Sequence, residues 1–311
     1  MKLQIRLTVD FAFKLTIGNP KHPGITRHFI QSILNDPDPV RTVEYLNPTI
    51  SREARAGKLS QLDVRLRDDR GRHLNIEMQA SAPGALAQRL AYYTSRIYSG
   101  QIEKGDDYGL LRPSIGIWVL DRPMPKLSPT LHLEFQMRTA AGESLGDGLG
   151  IHVVQLPFLQ ADEHNVAKAS KLEQWAFYLR NAHLFSAREL ARILPDPVFH
   201  EASGVLTMIS RDPKKRMRYE ERLKAQLDAN HLRNFSRREG REEGLAQGRV
   251  EGRTEGRVEG RAEGQLIGQI TILEQVLQLP QSSLEDLSTW SPERLAARVD
   301  ELKKRWGRAS S

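Results

Sequence analysis

The chain has 311 residues, enough to bury a sizeable core in one large domain or two. Lys and Arg exceed Asp and Glu by 46 − 39 = 7, a balance that favours a polyanionic partner. The lack of cysteine excludes disulfides and thiolate zinc sites, and no stretch is apolar enough for a signal peptide or membrane span, so a cytoplasmic protein without a membrane partner is expected.

Residues 8–18, TVDFAFKLTIG, predict a short helix stopped by Gly18-Asn19-Pro20. Asp10 and Lys14 stand at i and i+4, the spacing of a surface ion pair, and Phe11 and Phe13 read as core. A second helix is predicted from Pro23 to Leu34, ended by the Asp36-Pro37-Asp38-Pro39 breaker. Val40 to Leu46 predicts a strand, and 48–58 a loop.

The stretch 61–79, QLDVRLRDDRGRHLNIEMQ, organises the rest of the chain. Leu62, Val64 and Leu66 alternate with Asp63, Arg65 and Arg67; Leu74, Ile76 and Met78 alternate with Asn75, Glu77 and Gln79. Both runs have the period of half-buried strands, joined by the polar Asp68-Asp69-Arg70-Gly71-Arg72. A symmetric five-residue loop sets Arg67 opposite His73 and therefore Asp63 opposite Glu77. Carboxylates facing each other across an antiparallel pair repel, so a sheet gains nothing from them, whereas a divalent cation reverses the sign. The pair therefore reads either as a solvated polar face or as a sparse oxygen site of the kind Mg²⁺ uses beside a phosphate.

Beyond Pro83-Gly84 a helix is predicted from Ala85 to Gly100, with Leu86, Leu90, Tyr93 and Ile97 as its core stripe. Gln88, Arg89, Tyr92 and Arg96 fall largely on another side, where the arginines would clamp phosphates and a tyrosine hydroxyl position one. The two tyrosines equally suit packing with wet hydroxyls. Ser114 to Leu120 is a continuous apolar run, the pattern of a strand buried in mid-sheet. Leu131 to Met137 and Ile151 to Leu156 predict strands around the Gly-rich turn 141–150, and helices are expected over 162–180, 186–194, 198–210 and 213–236. His22 and His28, six apart, match no common zinc spacing.

Residues 239–268 repeat every four, with glycine at 240, 244, 248, 252, 256, 260, 264 and 268. Eight helical glycines cost about 8 kcal/mol relative to alanine. Arginines recur at i+4, glutamates likewise, and the two columns lie about 200° apart, where they cannot pair within one helix. Two chains laid together would match one Arg column to the other's Glu column, so the segment reads as a dimerising arm or else a flexible linker. LIGQITILEQVLQLP then predicts an amphipathic helix ended by Pro280, followed by a short LEDL turn and a last helix opened by Ser291-Pro292.

Several of these motifs occur in an order that resembles the recombination-promoting nuclease, or transposase, branch of the PD-(D/E)XK nucleases. They are Asp10-x-x-Phe13-Lys14, Leu62-Asp63-Val64, Asn75-Ile76-Glu77-Met78-Gln79, Arg89-x-x-x-Tyr93, and Gly105-Asp106-Asp107-Tyr108 before the apolar strand ending at Asp121. The likeness covers roughly 8–235; the repeat and final hairpin are similar to a tail and a small C-terminal domain of unknown function that many members carry. The resemblance implies an α/β fold, a restriction-endonuclease-like mixed sheet flanked by helices and followed by a helical extension. Its divisions would be a nuclease core at 1–160, a helical extension at 161–238, the repeat arm or linker at 239–268 and a helical hairpin at 269–311.

The same resemblance implies a Mg²⁺-dependent deoxyribonuclease, with Mn²⁺ as an alternative metal. Asp63 and Glu77 would hold the ion, Asp10 add an acid, and Gln79 stand where the superfamily has lysine, with Lys14 as a substitute charge. Arg89, Tyr93 and Arg96 would contact DNA, and the tail would make a homodimer. Two competing readings stay open: a DNA-binding protein of weak or lost catalysis, and an assembly protein whose working part is the tail.

Overall fold

The computed structural model describes residues 2–34, 36–46, 49–50, 60–61, 64–80 and 85–309, at 49–50, 60–61 and 309 for the backbone alone. The chain divides into two compact units, Met1–Asn230 and His231–Ser311.

The first unit is built on a six-stranded mixed sheet of spatial order β1-β4-β5-β6-β8-β7. In chain order its strands are β1 (Val43–Tyr45), β4 (Val64–Asp68), β5 (His73–Gln79), β6 (Ser114–Leu120), β7 (His132–Gln136) and β8 (Leu149–Gln155). The short β2 (Thr49–Ile50) and β3 (Ser60–Gln61) pair separately. β4 and β5 are antiparallel in the expected register, running from Arg67 opposite His73 to Val64 opposite Ile76. Their turn is closed by Asp68, whose carboxylate accepts from the backbone N–H of Arg70 and Arg72 at 3.0 and 2.9 Å. Gly71 sits there at φ +76°, a conformation side chains resist.

β6 runs parallel to β5 on one side and to β8 on the other, and all seven of its residues are buried. A strand covered on both faces needs no polar alternation, which is why its sequence is continuously apolar. One face of the sheet carries the main core. Against it pack α1 (Asp10–Ile17), α2 (Pro23–Leu34), α4 (Lys171–Asn181), α5 (Ala187–Ile193) and α6 (Pro197–Arg211). There Trp175 Nε1 donates to His28 Nδ1 at 2.8 Å while His28 Nε2 lies 3.3 Å from Asp196 Oδ2, tying α2, α4 and the start of α6. α3 (Leu86–Ser99) covers the opposite face over a smaller cluster that includes Leu86, Leu90, Trp118 and Val153.

The half-buried pattern expected for β5 is therefore not what the sheet adopts. Residues 74–78 are all buried, because α3 closes the face that alternation alone would leave to water. α4 likewise begins at Lys171 rather than 162. The preceding segment is tied by Asp162, which accepts from the N–H of His164 and Asn165, and Ser170 forms a capping box with Glu173.

α7 (Pro213–Val276) runs on as helix through the whole glycine repeat, not as an irregular linker, and the division between the units falls within it. In the second unit residues 231–262 are all exposed, and a Cβ at any glycine from 240 to 268 would meet nothing within 4 Å. The helix ends at Val276, with Gln278 at φ +52° and Leu279 N–H donating back to the Glu274 carbonyl at 2.9 Å, a left-handed cap before Pro280. Ile270, Leu287, Leu295, Val299 and Leu302 make the core of this unit, drawn from α7, α8 (Leu284–Ser288) and α9 (Pro292–Ala309).

Candidate active site

Alternation along β5 directs Asn75, Glu77 and Gln79 to the face beneath α3. In the parallel ladder Glu77 stands beside Trp118, Asn75 beside Gly116 and Gln79 beside Leu120. The close seat of α3 depends on Gly116, where an added Cβ would lie 2.6 Å from Thr94 Oγ1 and 3.0 Å from Trp118 Nε1. That seating lets Tyr93 stack on Trp118, centroids 6.2 Å apart and planes 14° apart. Arg89 in turn lies over the Tyr93 ring at 5.8 Å. A line of contacts thus leads from Glu77's neighbour on the next strand up to the α3 flank carrying Arg89, Tyr93 and Arg96. All three are half-buried, whereas Tyr92, edge-on to Tyr93, is 46 % exposed.

Glu77 is only 5 % exposed, and Asn75 and Trp118 are fully buried. Both amide atoms of Asn75 and the indole N–H of Trp118 have no hydrogen-bond partner among the described residues. Fully buried polar groups are normally satisfied, so polar capacity left over beside a buried carboxylate points to something bound or to water.

α1 approaches from the other face. Its end is pressed on the start of β4, where a Cβ at Gly18 would lie 2.5 Å from Val64 Cγ2. Asp10 and Lys14 are half-buried on this helix; Asp10 accepts from its neighbour Phe11 N–H at 2.7 Å, and its other oxygen lies 3.7 Å from Arg222 Nη1. Asp63, next in sequence before Val64, lies outside the described residues.

A family model described as PD-(D/E)XK nuclease family transposase matches residues 7–234. The chain belongs to this family. Its sheet is accordingly a restriction-endonuclease-like α/β sheet, and a nuclease-like or transposition-related function follows. No curated protein and no solved structure matches the chain. The match ends shortly before the glycine repeat begins.

Nucleases of this superfamily generally use divalent metal ions. Among the described residues no three His, Asp or Glu side chains converge as a metal cage. The donors the fold does present, the Glu77 carboxylate with the partnerless Asn75 Oδ1 one pleat along and Gln79 beyond, are oxygens. They fit a hard divalent cation completed by water and phosphate rather than zinc. Among the described residues the histidines form no such centre either. Both ring nitrogens of His28 are engaged, and His22 Nδ1 is 2.7 Å from Glu201. His132 and His152, which no sequence motif singles out, stack at 5.2 Å with a 3.0 Å nitrogen–nitrogen hydrogen bond on the other sheet face. Burial, with His132 adding to it, pushes the His152 imidazole down to about 4, and burial lowers that of His132 too.

Proposed function

We propose that this chain is a metal-dependent DNA endonuclease serving recombination, transposition or defence against phage. The observation that carries the proposal is the buried Glu77, set on the antiparallel hairpin in the register that expects Asp63 opposite it. Asp63 and Glu77 would hold Mg²⁺ or Mn²⁺, and a cation there supplies Lewis-acid stabilisation of the phosphate and a more acidic water. Gln79 orients the attacking water through its amide but brings no positive charge, which is the role given to Lys14. Asp10 adds an acid from α1. Arg89 and Arg96 hold backbone phosphates from α3, and Tyr93, braced on Trp118, positions one of them.

The test is cleavage of plasmid DNA by the wild type and Asp63→Ala across Mg²⁺, Mn²⁺ and Ca²⁺. Magnesium-dependent cleavage lost in the variant is expected; unchanged cleavage in it rejects the assignment. DNA retention that ignores metal, without cleavage, would favour a binding protein of lost catalysis, the reading that Gln79 in place of lysine keeps in play.

For the tail we infer self-association into a homodimer. The repeat is helical and exposed at every residue over 231–262, so burial within the chain does not offset a glycine cost of about 8 kcal/mol. A second copy, matching Arg and Glu columns, would. Sedimentation of the full chain should give a dimer that dissociates as salt rises; a monomer at all concentrations would remove the tail from this role.

A further inference from the structure

Four arginines leave the β4–β5 hairpin, and three of them have carboxylate partners. Arg67 Nη2 lies 2.7 Å from Glu44 Oε2, Arg72 reaches both Asp68 and Asp36 at 2.7 Å, and Arg70 joins Asp36 as well. Arg65 differs. It forms no ion pair among the described residues, and its Nε is shut away from water without an acceptor. A buried guanidinium nitrogen without an acceptor costs stability, and no described residue supplies a structural reason for it.

Its position supplies one. Arg65 stands opposite Asn75 in the antiparallel ladder and therefore shares the α3-covered face with Glu77, its diagonal neighbour one pleat along. Among the described residues the Asn75 amide N–H₂ has no acceptor, and neither has the indole N–H of Trp118 on the next strand. Unanswered donors around a fixed positive charge suit an anion, and a guanidinium fork matches the paired oxygens of a phosphate.

We propose that Arg65, backed by Asn75, binds a backbone phosphate of the DNA strand held at the nuclease site, next to the phosphate to be cleaved. This rests on the nuclease reading but names a residue outside the machinery assigned to α1, α3 and the two acids. Arg65 would act as a binding residue on the strand beside the metal-holding acids.

The experiment is a salt titration of duplex-DNA binding by the full chain, in chelator so that no strand is cut, for the wild type, Arg65→Gln, Arg65→Lys and Arg67→Gln. Loss of one phosphate contact lowers the slope of log K against log salt by about 0.9. Arg65→Gln should show that drop with a thermal midpoint equal to or above the wild type's, since an unpaired charge has been removed. Arg65→Lys should keep the slope, and Arg67→Gln, whose charge is spent on Glu44, should match the wild type. A wild-type slope in Arg65→Gln overturns the inference alone. The same drop in Arg67→Gln overturns it as a general charge effect, and a lowered midpoint in Arg65→Gln does so as a structural one. Failure of the wild type to bind DNA at any salt overturns both this inference and the nuclease reading.

Discussion

Glu77 in the middle of β5 is 5 % exposed, and Glu274 near the end of α7 is 0 % exposed. Burying a carboxylate costs free energy unless hydrogen bonds or countercharges answer it, so each needs an account. At Glu274 the account is local. Its oxygens accept from Ser282 N–H at 2.8 Å, Ser282 Oγ at 3.1 Å and Arg298 Nη2 at 2.9 Å, which pins the loop after α7 to α9. Glu77 stands on a face of the sheet with a different character. Asn75, Trp118 and Arg65, all on that face, keep donors without acceptors among the described residues. Glu274 ties α7 to α9 within its unit, whereas Glu77 is the acid proposed to hold a metal ion. Substitution at each should therefore register in a different measurement.

The largest effect is expected at Glu77. Glu77→Gln keeps the side-chain volume and removes the charge that the proposed metal requires. Cleavage should fall about 10³-fold or more, the equivalent of roughly 4 kcal/mol of transition-state stabilisation. The thermal midpoint should move by less than the equivalent of about 1 kcal/mol. Full cleavage with a collapsed midpoint would place Glu77 in the same class as Glu274, and the contrast between the two would be gone.

The two sites also differ in how far sequence could reach them. The hairpin was legible because two period-2 runs and a five-residue loop admit one register, and Arg67 does stand opposite His73. β6 was legible because seven apolar residues in succession suit only a strand buried on both faces, and α2 because Pro23 and the 36–39 breaker bracket it. The closed face of β5 was not legible, since it depends on α3 packing from a distance and on Gly116 allowing Thr94 to approach. Nor was Arg65 distinguishable from Arg67, Arg70 and Arg72. Only the folded chain shows that, among the described residues, three have carboxylate partners and Arg65 has none. For Glu274 the apolar spacing of LIGQITILEQVLQLP pointed to the helix, but nothing local in it foretells Ser282 and Arg298 arriving at the same carboxylate. Propensity misjudged the repeat's neighbourhood most: the expected end at 236 ignored that a helix can carry glycines through to Val276.

A smaller, structural effect is expected at Glu274. Glu274→Gln leaves Arg298 without its buried partner and turns an amide N–H₂ toward donors. Breaking a wholly buried pair costs about 3–5 kcal/mol. Here the Arg298 side chain is 26 % exposed, so about 2 kcal/mol is expected. Amide hydrogen exchange in the full chain should speed up in α8 and α9, while the exchange of β5 and cleavage per active molecule stay as in the wild type. A loss of cleavage equal to that of Glu77→Gln would show that the second unit contributes to the chemistry.

The smallest effect is the pH dependence of that same unit. Burial would raise the Glu274 carboxyl, but the hydrogen bonds from Ser282 and Arg298, with the Arg298 charge, outweigh it and hold the group below the ordinary carboxylate value. A depressed carboxyl stabilises the folded state fully above the unfolded value of about 4.3 and loses that contribution as pH falls through the folded one. Exchange in α8 and α9 should therefore quicken, after correction for intrinsic rates, as pH drops below about 4.5. In Glu274→Gln much of this dependence should vanish. Glu293, which Ser291 holds below its ordinary value at the start of α9, keeps a residue of it. An equal pH response in wild type and variant would mean that the Glu274 charge is not what holds α7 to α9, and burial there would have to be explained by the apolar core alone.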